Sequence, residues 1–343
     1  MPGLVRSARR LGVLVGLLCA AGLALAPTAG ADGVGPNNYR SVIESVDPVP
    51  DGVQVEIVGG DSFFQVTAEP GREVRIPGYD GEPYLRILAD GRVQRNERSP
   101  ATYLNVSRNA QVDRFPDEVS SSADPRWHTI GEDGQVAWHD HRIHWMLPEA
   151  PPVGAGGVVQ TWELPMQVDG TDVVVTGRLV HHEDVLPWAG LVGVVVAIGA
   201  ALLARRDRLR LPLLLGASTV ALGLSASVWV LNPPGAEPNP LALVLPALAI
   251  LVSVSAMVLR RLPAVLRDMV LPLVAVAALA GWAIPQIGVI WMPTVPSVLA
   301  AWLVRLGTGC VLGVVVGVAI AILLRPVPAA GRPTPSLGSA HGA

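Results

Sequence analysis

Apolar and polar positions follow two rhythms along this chain, one on each side of residue 185. Before it, short runs alternate: Val53-Gln54-Val55-Glu56-Ile57-Val58, Phe63-Phe64-Gln65-Val66-Thr67, Glu73-Val74-Arg75-Ile76 and Tyr84-Leu85-Arg86-Ile87-Leu88. Side chains of an extended chain point to opposite faces in turn, so alternation gives a strand one buried and one solvated face. Gly59-Gly60-Asp61, Pro70-Gly71 and Asp90-Gly91 supply turns between the runs. Later, Thr161–Val168 and Asp172–Val180 flank Asp169-Gly170, which predicts a β-hairpin. No amphipathic helix longer than two turns is legible here, and residues 96–126 read as a polar surface excursion. Short strands at this spacing predict an antiparallel β-sandwich of immunoglobulin-like size over residues 32–185.

After residue 185 the pattern becomes nearly continuous hydrophobicity. Five stretches are long enough for about 30 Å of hydrocarbon, at 186–204, 211–231, 241–259, 269–290 and 297–324. They predict an all-α transmembrane bundle over residues 186–325. Arg205-Arg206-Asp207-Arg208-Leu209-Arg210 separates the first two stretches, and Arg260, Arg261 and Arg267 separate the third and fourth. The connections Asn232–Pro240 and Trp291–Pro296 carry no arginine. By the positive-inside rule the Arg-bearing loops and the tail are cytoplasmic, and residues 32–185 are extracytoplasmic. His181-His182-Glu183-Asp184 leads directly into the first stretch, so the sandwich is expected close to the bilayer surface.

The start of the chain gives the same orientation. Arg6, Arg9 and Arg10 precede the apolar Leu11–Leu25, and Ala29-Gly30-Ala31 is an A-x-A site. Residues 1–31 therefore read as a cleaved secretory signal, with an uncleaved anchor helix as the alternative. Residues 326–343, rich in Pro, Gly, Ser and Ala, read as a disordered cytoplasmic tail.

Composition narrows the chemistry. Only 15% of residues are charged and mean hydropathy is +0.44, a membrane-protein balance. Every basic residue is arginine, which excludes lysine nucleophiles and Schiff bases and fits a GC-rich bacterial genome. Cys19 and Cys310 both fall in apolar stretches, so a disulfide framework and a cysteine-ligated metal site are excluded. Residues 32–185 hold 25 acidic and 12 Arg residues, whereas residues 186–343 carry a net charge of +7. An acidic outer domain speaks against binding nucleic acid.

Six of the seven histidines lie between residues 128 and 182, three of them in Trp138-His139-Asp140-His141-Arg142-Ile143-His144-Trp145-Met146. On a strand, His139 and His141 would share a face and could hold one metal ion. His144 joins them only if the chain turns after Arg142, and Met146 offers a soft sulfur. Imidazole and thioether together suit copper in an oxidising compartment. Against this, Trp127, Trp138, Trp145 and Trp162 can pack with the histidines as a polar–aromatic cluster holding no metal, and Arg142 can pair with Asp140. A hydrolase built on the same His and Asp lacks a nucleophile placed beside them. No Walker motif, nucleophile elbow or HExxH sequence occurs.

Arg98-Ser99-Pro100-Ala101-Thr102-Tyr103-Leu104-Asn105 and Trp138–Met146 carry a resemblance. The chain resembles a group of actinobacterial membrane proteins with a signal peptide, a β-rich outer domain and a helical C-terminal half. That resemblance implies architecture and lineage, and no activity. Trp162–Val180 is loosely similar to the last hairpin of CopC-type copper-binding sandwiches, although this chain lacks a mature amino-terminal histidine. Two functions follow as expectations. One is extracytoplasmic copper handling through His139, His141, His144 and Met146. The other is an interaction or assembly module that meets lipid and other envelope membrane proteins, with the His–Trp segment structural.

Overall fold

A computed structural model describes residues 34–324 apart from 107–111, 113, 148, 235, 237 and 260. The expected signal peptide and C-terminal tail lie outside the described residues. The N-terminal half contains two antiparallel sheets. The larger runs in the order β1 (Tyr39–Asp47), β10 (Thr171–His181), β9 (Val158–Val168), β4 (Val74–Pro77), β5 (Pro83–Ile87), β6 (Val93–Asn96) and β7 (Trp127–Gly131). The smaller is β2 (Val53–Val58), β3 (Phe63–Ala68) and β8 (Gln135–Trp138).

Alternation does the work the sequence promised. Trp162, Leu164, Met166 and Val168 of β9 point inward while the residues between them are exposed. They meet Phe64 and Val66 of β3 and Val136 and Trp138 of β8 in one apolar core. The β9–β10 hairpin turns at Asp169 and Gly170, both at positive φ (50° and 81°), as the twist of a two-residue hairpin requires. The partition is seven strands against three, unlike the near-equal sheets of an immunoglobulin domain. The polar excursion contains one short helix, α1 (Pro100–Leu104), whose N-cap Ser99 side chain accepts from the Ala101 amide.

Five further α-helices follow: α2 (Trp188–Leu203), α3 (Asp207–Trp229), α4 (Leu241–Val258), α5 (Leu271–Ala283) and α6 (Ala301–Leu323). Among the described residues four segments are long and apolar enough to cross a membrane, with α5 counted together with the π-turn Leu266–Val270 before it. The remaining expected stretch, 186–204, forms the shorter apolar helix α2. At 16 residues α2 covers only about 24 Å at 1.5 Å per residue. Pro285 closes α5, because proline has no amide to continue the ladder, and a single 3₁₀ turn Ile287–Ile290 follows. Trp282 is buried in the bundle and donates to the Ser225 hydroxyl at 2.7 Å.

The short α2 packs on α6 with backbones in contact. A Cβ on Gly193 would lie 2.8 Å from the Gly309 carbonyl oxygen, and Gly309, Gly313 and Gly317 face Ala189, Gly193 and Ala197 in turn. Small residues every fourth position allow this approach.

The two Arg-free connections meet the β-rich domain. Asn37 and Thr294 exchange backbone hydrogen bonds at 3.1 Å, the Val185 amide donates to the Trp291 carbonyl at 2.7 Å, and the Val34 amide donates to Asn232 Oδ1 at 3.1 Å. At the other ends of the helices, buried Arg210 ties the two Arg-bearing connections together. It donates to the carbonyls of Ala204 and Asp268, each at 2.8 Å, and pairs with Asp207.

Candidate functional site

Strand β8 ends at Trp138, so the His-rich segment is a strand only at its first residue. Beyond it the Ile143 amide donates to the Asp140 carbonyl at 3.1 Å, closing a turn that removes the alternation. His139 and His141 therefore do not share a strand face, which corrects the geometry expected of them. Ile143 at the end of this turn joins the sheet core, and Asp140 at its start is fully buried.

Asp140 organises the segment. Its carboxylate accepts from Arg142 Nε at 2.7 Å and Nη2 at 2.6 Å, from the Arg142 amide at 3.0 Å and from the Trp138 indole at 2.8 Å. Burial acts first and opposes the negative charge. The Arg142 hydrogen bonds and charge, followed by the Trp138 indole, outweigh it and hold the carboxyl below the ordinary aspartate range. Arg142 is raised in the same way, because its own burial is outweighed by Asp140. Its guanidinium also lies 5.2 Å from the Tyr79 ring centroid. Burial, and then the Asp140 charge, push the Tyr79 hydroxyl up, so it remains a neutral donor to Asn105 Oδ1 and accepts from the His141 amide at 3.0 Å. Gln160 of β9 donates to the carbonyls of Arg142 at 2.9 Å and His144 at 3.3 Å, pinning the turn to the large sheet.

The four residues singled out by sequence take separate places around this knot. His139 is buried, with Nδ1 donating to the Ser62 carbonyl at 2.6 Å and its ring 4.1 Å from that of Phe63. His141 stacks on Tyr79 at 5.7 Å. His144 is fully buried and meets His141 edge to face at 5.4 Å between ring centroids. Met146 is half-buried, two residues further on. Among the described residues no group of three His, Cys, Asp or Glu side chains is placed to hold a metal ion.

No protein-family model, curated protein or solved structure matches this chain. The resemblances drawn above rest on their sequence motifs alone.

A second polar feature lies at the seam between the two halves. A cleft of about 700 Å³ opens there, walled by β1 and β2 on one side and by Pro293–Pro296 and Ala301 on the other. Four residues after Ala301 on α6, Arg305 is 8% exposed, and its Nη2 donates to the carbonyls of Met292 at 2.8 Å and Pro293 at 3.1 Å. Arg305 is the one charged residue in the apolar stretch 297–324. The loop it holds and the cleft beside that loop come from long-range packing, which no local pattern encodes.

Proposed function

We propose that this chain is an integral membrane protein of the bacterial envelope. Its acidic β-rich domain is seated outside the cytoplasm on a helical base and acts as a non-enzymatic docking module for other envelope membrane proteins. The observation that carries this reading is the Asp140 knot. The carboxylate, the guanidinium, the Trp138 indole and the Tyr79 hydroxyl at the centre of the His-rich segment are engaged with one another, as in a brace between sheets. Seating on the helices supports a fixed presentation of the domain, because backbone hydrogen bonds cross the seam at Asn37–Thr294 and Val185–Trp291. The Arg-bearing connections lie at the ends of the helices away from that seam, which supports a cytoplasmic location for them.

This placement has a direct test. In a Cys310→Ser background, cysteine is introduced at exposed Ser121 in the β-rich domain or at exposed Arg205 between α2 and α3. A membrane-impermeant maleimide applied to intact cells should label Ser121→Cys, and Arg205→Cys only after permeabilisation. The reverse pattern would overturn the orientation.

A copper-handling reading is favoured by one pair of observations. His141 and His144 meet at 5.4 Å, and His139 gives Nδ1–H to a backbone carbonyl, as metal-bound imidazoles do with their second nitrogen. In that reading His139, His141 and His144, with Met146 as a soft fourth donor, would hold the ion after a side-chain rearrangement around Arg142.

A further inference from the structure

We propose that residues 291–297, the strap between α5 and α6, couple the His-rich segment to the last membrane helix, so that a change at His139 reaches Arg305 and the reverse. The proposal is independent of what docks on the β-rich domain. On the helix side, Arg305 of α6 donates Nη2 to the Met292 and Pro293 carbonyls, its hydrogen-bond partners among the described residues. A guanidinium withdrawn from water into a membrane helix is costly and marks a functional position by default. Here the charge holds the strap. The next residue, Thr294, forms a backbone bridge with Asn37 ahead of β1, at 3.1 Å in each direction, and its hydroxyl donates to the Tyr39 carbonyl at 3.2 Å. Asn37 carries the contact inward. Its Nδ2 donates at 2.7 Å to Oδ1 of Asp61, in the turn between β2 and β3. Ser62, the following residue, accepts from His139 Nδ1 at 2.6 Å, and Asp140 comes next in the chain. Every step is a hydrogen bond or a short run of covalent chain, so the path from α6 to the Asp140 knot is contiguous.

The strap also has room to shift and the stiffness to transmit a shift. Residues 293–296 form one wall of the cleft of about 700 Å³, so one side of the strap borders open space. Pro293 and Pro296 fix their own φ angles, and the segment between them therefore moves as a unit. On its other side the strap bears directly on the turn between β2 and β3. A Cβ on Gly60, at φ 84°, would lie 2.7 Å from Thr294 Cγ2, so glycine leaves the space that Thr294 fills. The two ends of the strap reach the other helices. The Trp291 carbonyl accepts from the Val185 amide on the way from β10 to α2, and Ser297 Oγ lies 2.8 Å from Ser227 Oγ of α3. At the inner end Asp61 and His139 are buried, where hydrogen bonds are stronger than in water and a change in one is felt by the next.

The test is amide hydrogen exchange of the full chain in detergent, read over residues 59–64, 138–144 and 291–297, with the hairpin residues 166–173 as the control. Arg305→Gln should speed exchange about tenfold over 59–64 and 138–144 as well as in the strap, as loss of a charge-assisted hydrogen bond implies, and leave the hairpin unchanged. By reciprocity, His139→Ala should speed exchange over 291–297. In an Asn37→Ala background, which cuts the link to Asp61, Arg305→Gln should still loosen the strap while 138–144 no longer responds. Should Arg305→Gln fail to fold, Thr294→Val takes its place, because it removes the hydroxyl bond to Tyr39, keeps the side-chain size and should give the same pattern. A response confined to 291–297 would overturn the proposal. So would an equal rise in the hairpin, which marks general loosening, or the same response of 138–144 with and without Asn37.

Discussion

Replacing Asp140 with alanine is expected to destabilise the β-rich domain by about 3–5 kcal/mol, the cost of stranding one member of a buried ion pair. Asp140 is fully buried and the Arg142 side chain is 20% exposed, so water cannot replace what the carboxylate supplied. The Trp138 indole would lose its acceptor inside the core as well. Chemical denaturation of the full chain, followed by tryptophan fluorescence, measures the change. A loss below about 1 kcal/mol would show that the knot is incidental. The pH dependence has a definite sign. The folded carboxyl is held below its unfolded value of about 3.9, so its contribution is complete above that pH and is lost as pH falls through the lower folded value. Asp140→Asn should remove this acid-side slope.

Gly313→Leu is expected to separate α2 from α6, at a cost of about 3 kcal/mol or more. A Cβ at Gly313 would meet the Gly193 carbonyl oxygen and lie 2.8 Å from Val196 Cβ. Neither neighbour can yield without moving a helix. The effect should be larger than that of leucine at Gly216 of α3, where a Cβ would meet nothing within 4 Å. Thermal unfolding of both variants in the same detergent tests this. Equal melting temperatures would contradict backbone contact between α2 and α6. Because α2 is the first helix after β10, loosening it should also loosen the seat of the β-rich domain.

These effects also show where the sequence was readable. Strands β2 to β5 and the β9–β10 hairpin were legible because each is a short apolar-rich run bounded by glycine-containing turns. Strand β1 was not. The register with β10 shifts between Ile43 and Ser45, so Val42, Ile43 and Val46 do not alternate. The helical half was legible from hydropathy alone, but length misled at its first member, where about 19 apolar residues yield a 16-residue helix after Leu186 and Pro187 stay outside it. The close approach of α2 and α6 is written in Ala189, Gly193, Ala197, Gly309, Gly313 and Gly317, a four-residue spacing that is visible once the two segments are set side by side. In the His-rich segment the residues were found, and their geometry was not. Three imidazoles attracted attention, whereas Asp140 and Arg142, two positions apart, decide the conformation by pairing with each other. Sequence spacing gives that pair no priority over the histidines. Burial does.

The most direct test of the account is a calorimetric titration of the full chain with Cu(II), with Cu(I) under reductant and with Zn(II), set beside His141→Ala/His144→Ala. If the segment is a brace, no one-to-one site distinguishes the wild-type chain from the double mutant, and the mutant differs in stability alone. Tight one-to-one binding that disappears in the double mutant would contradict the brace and establish the His-rich segment as a metal site.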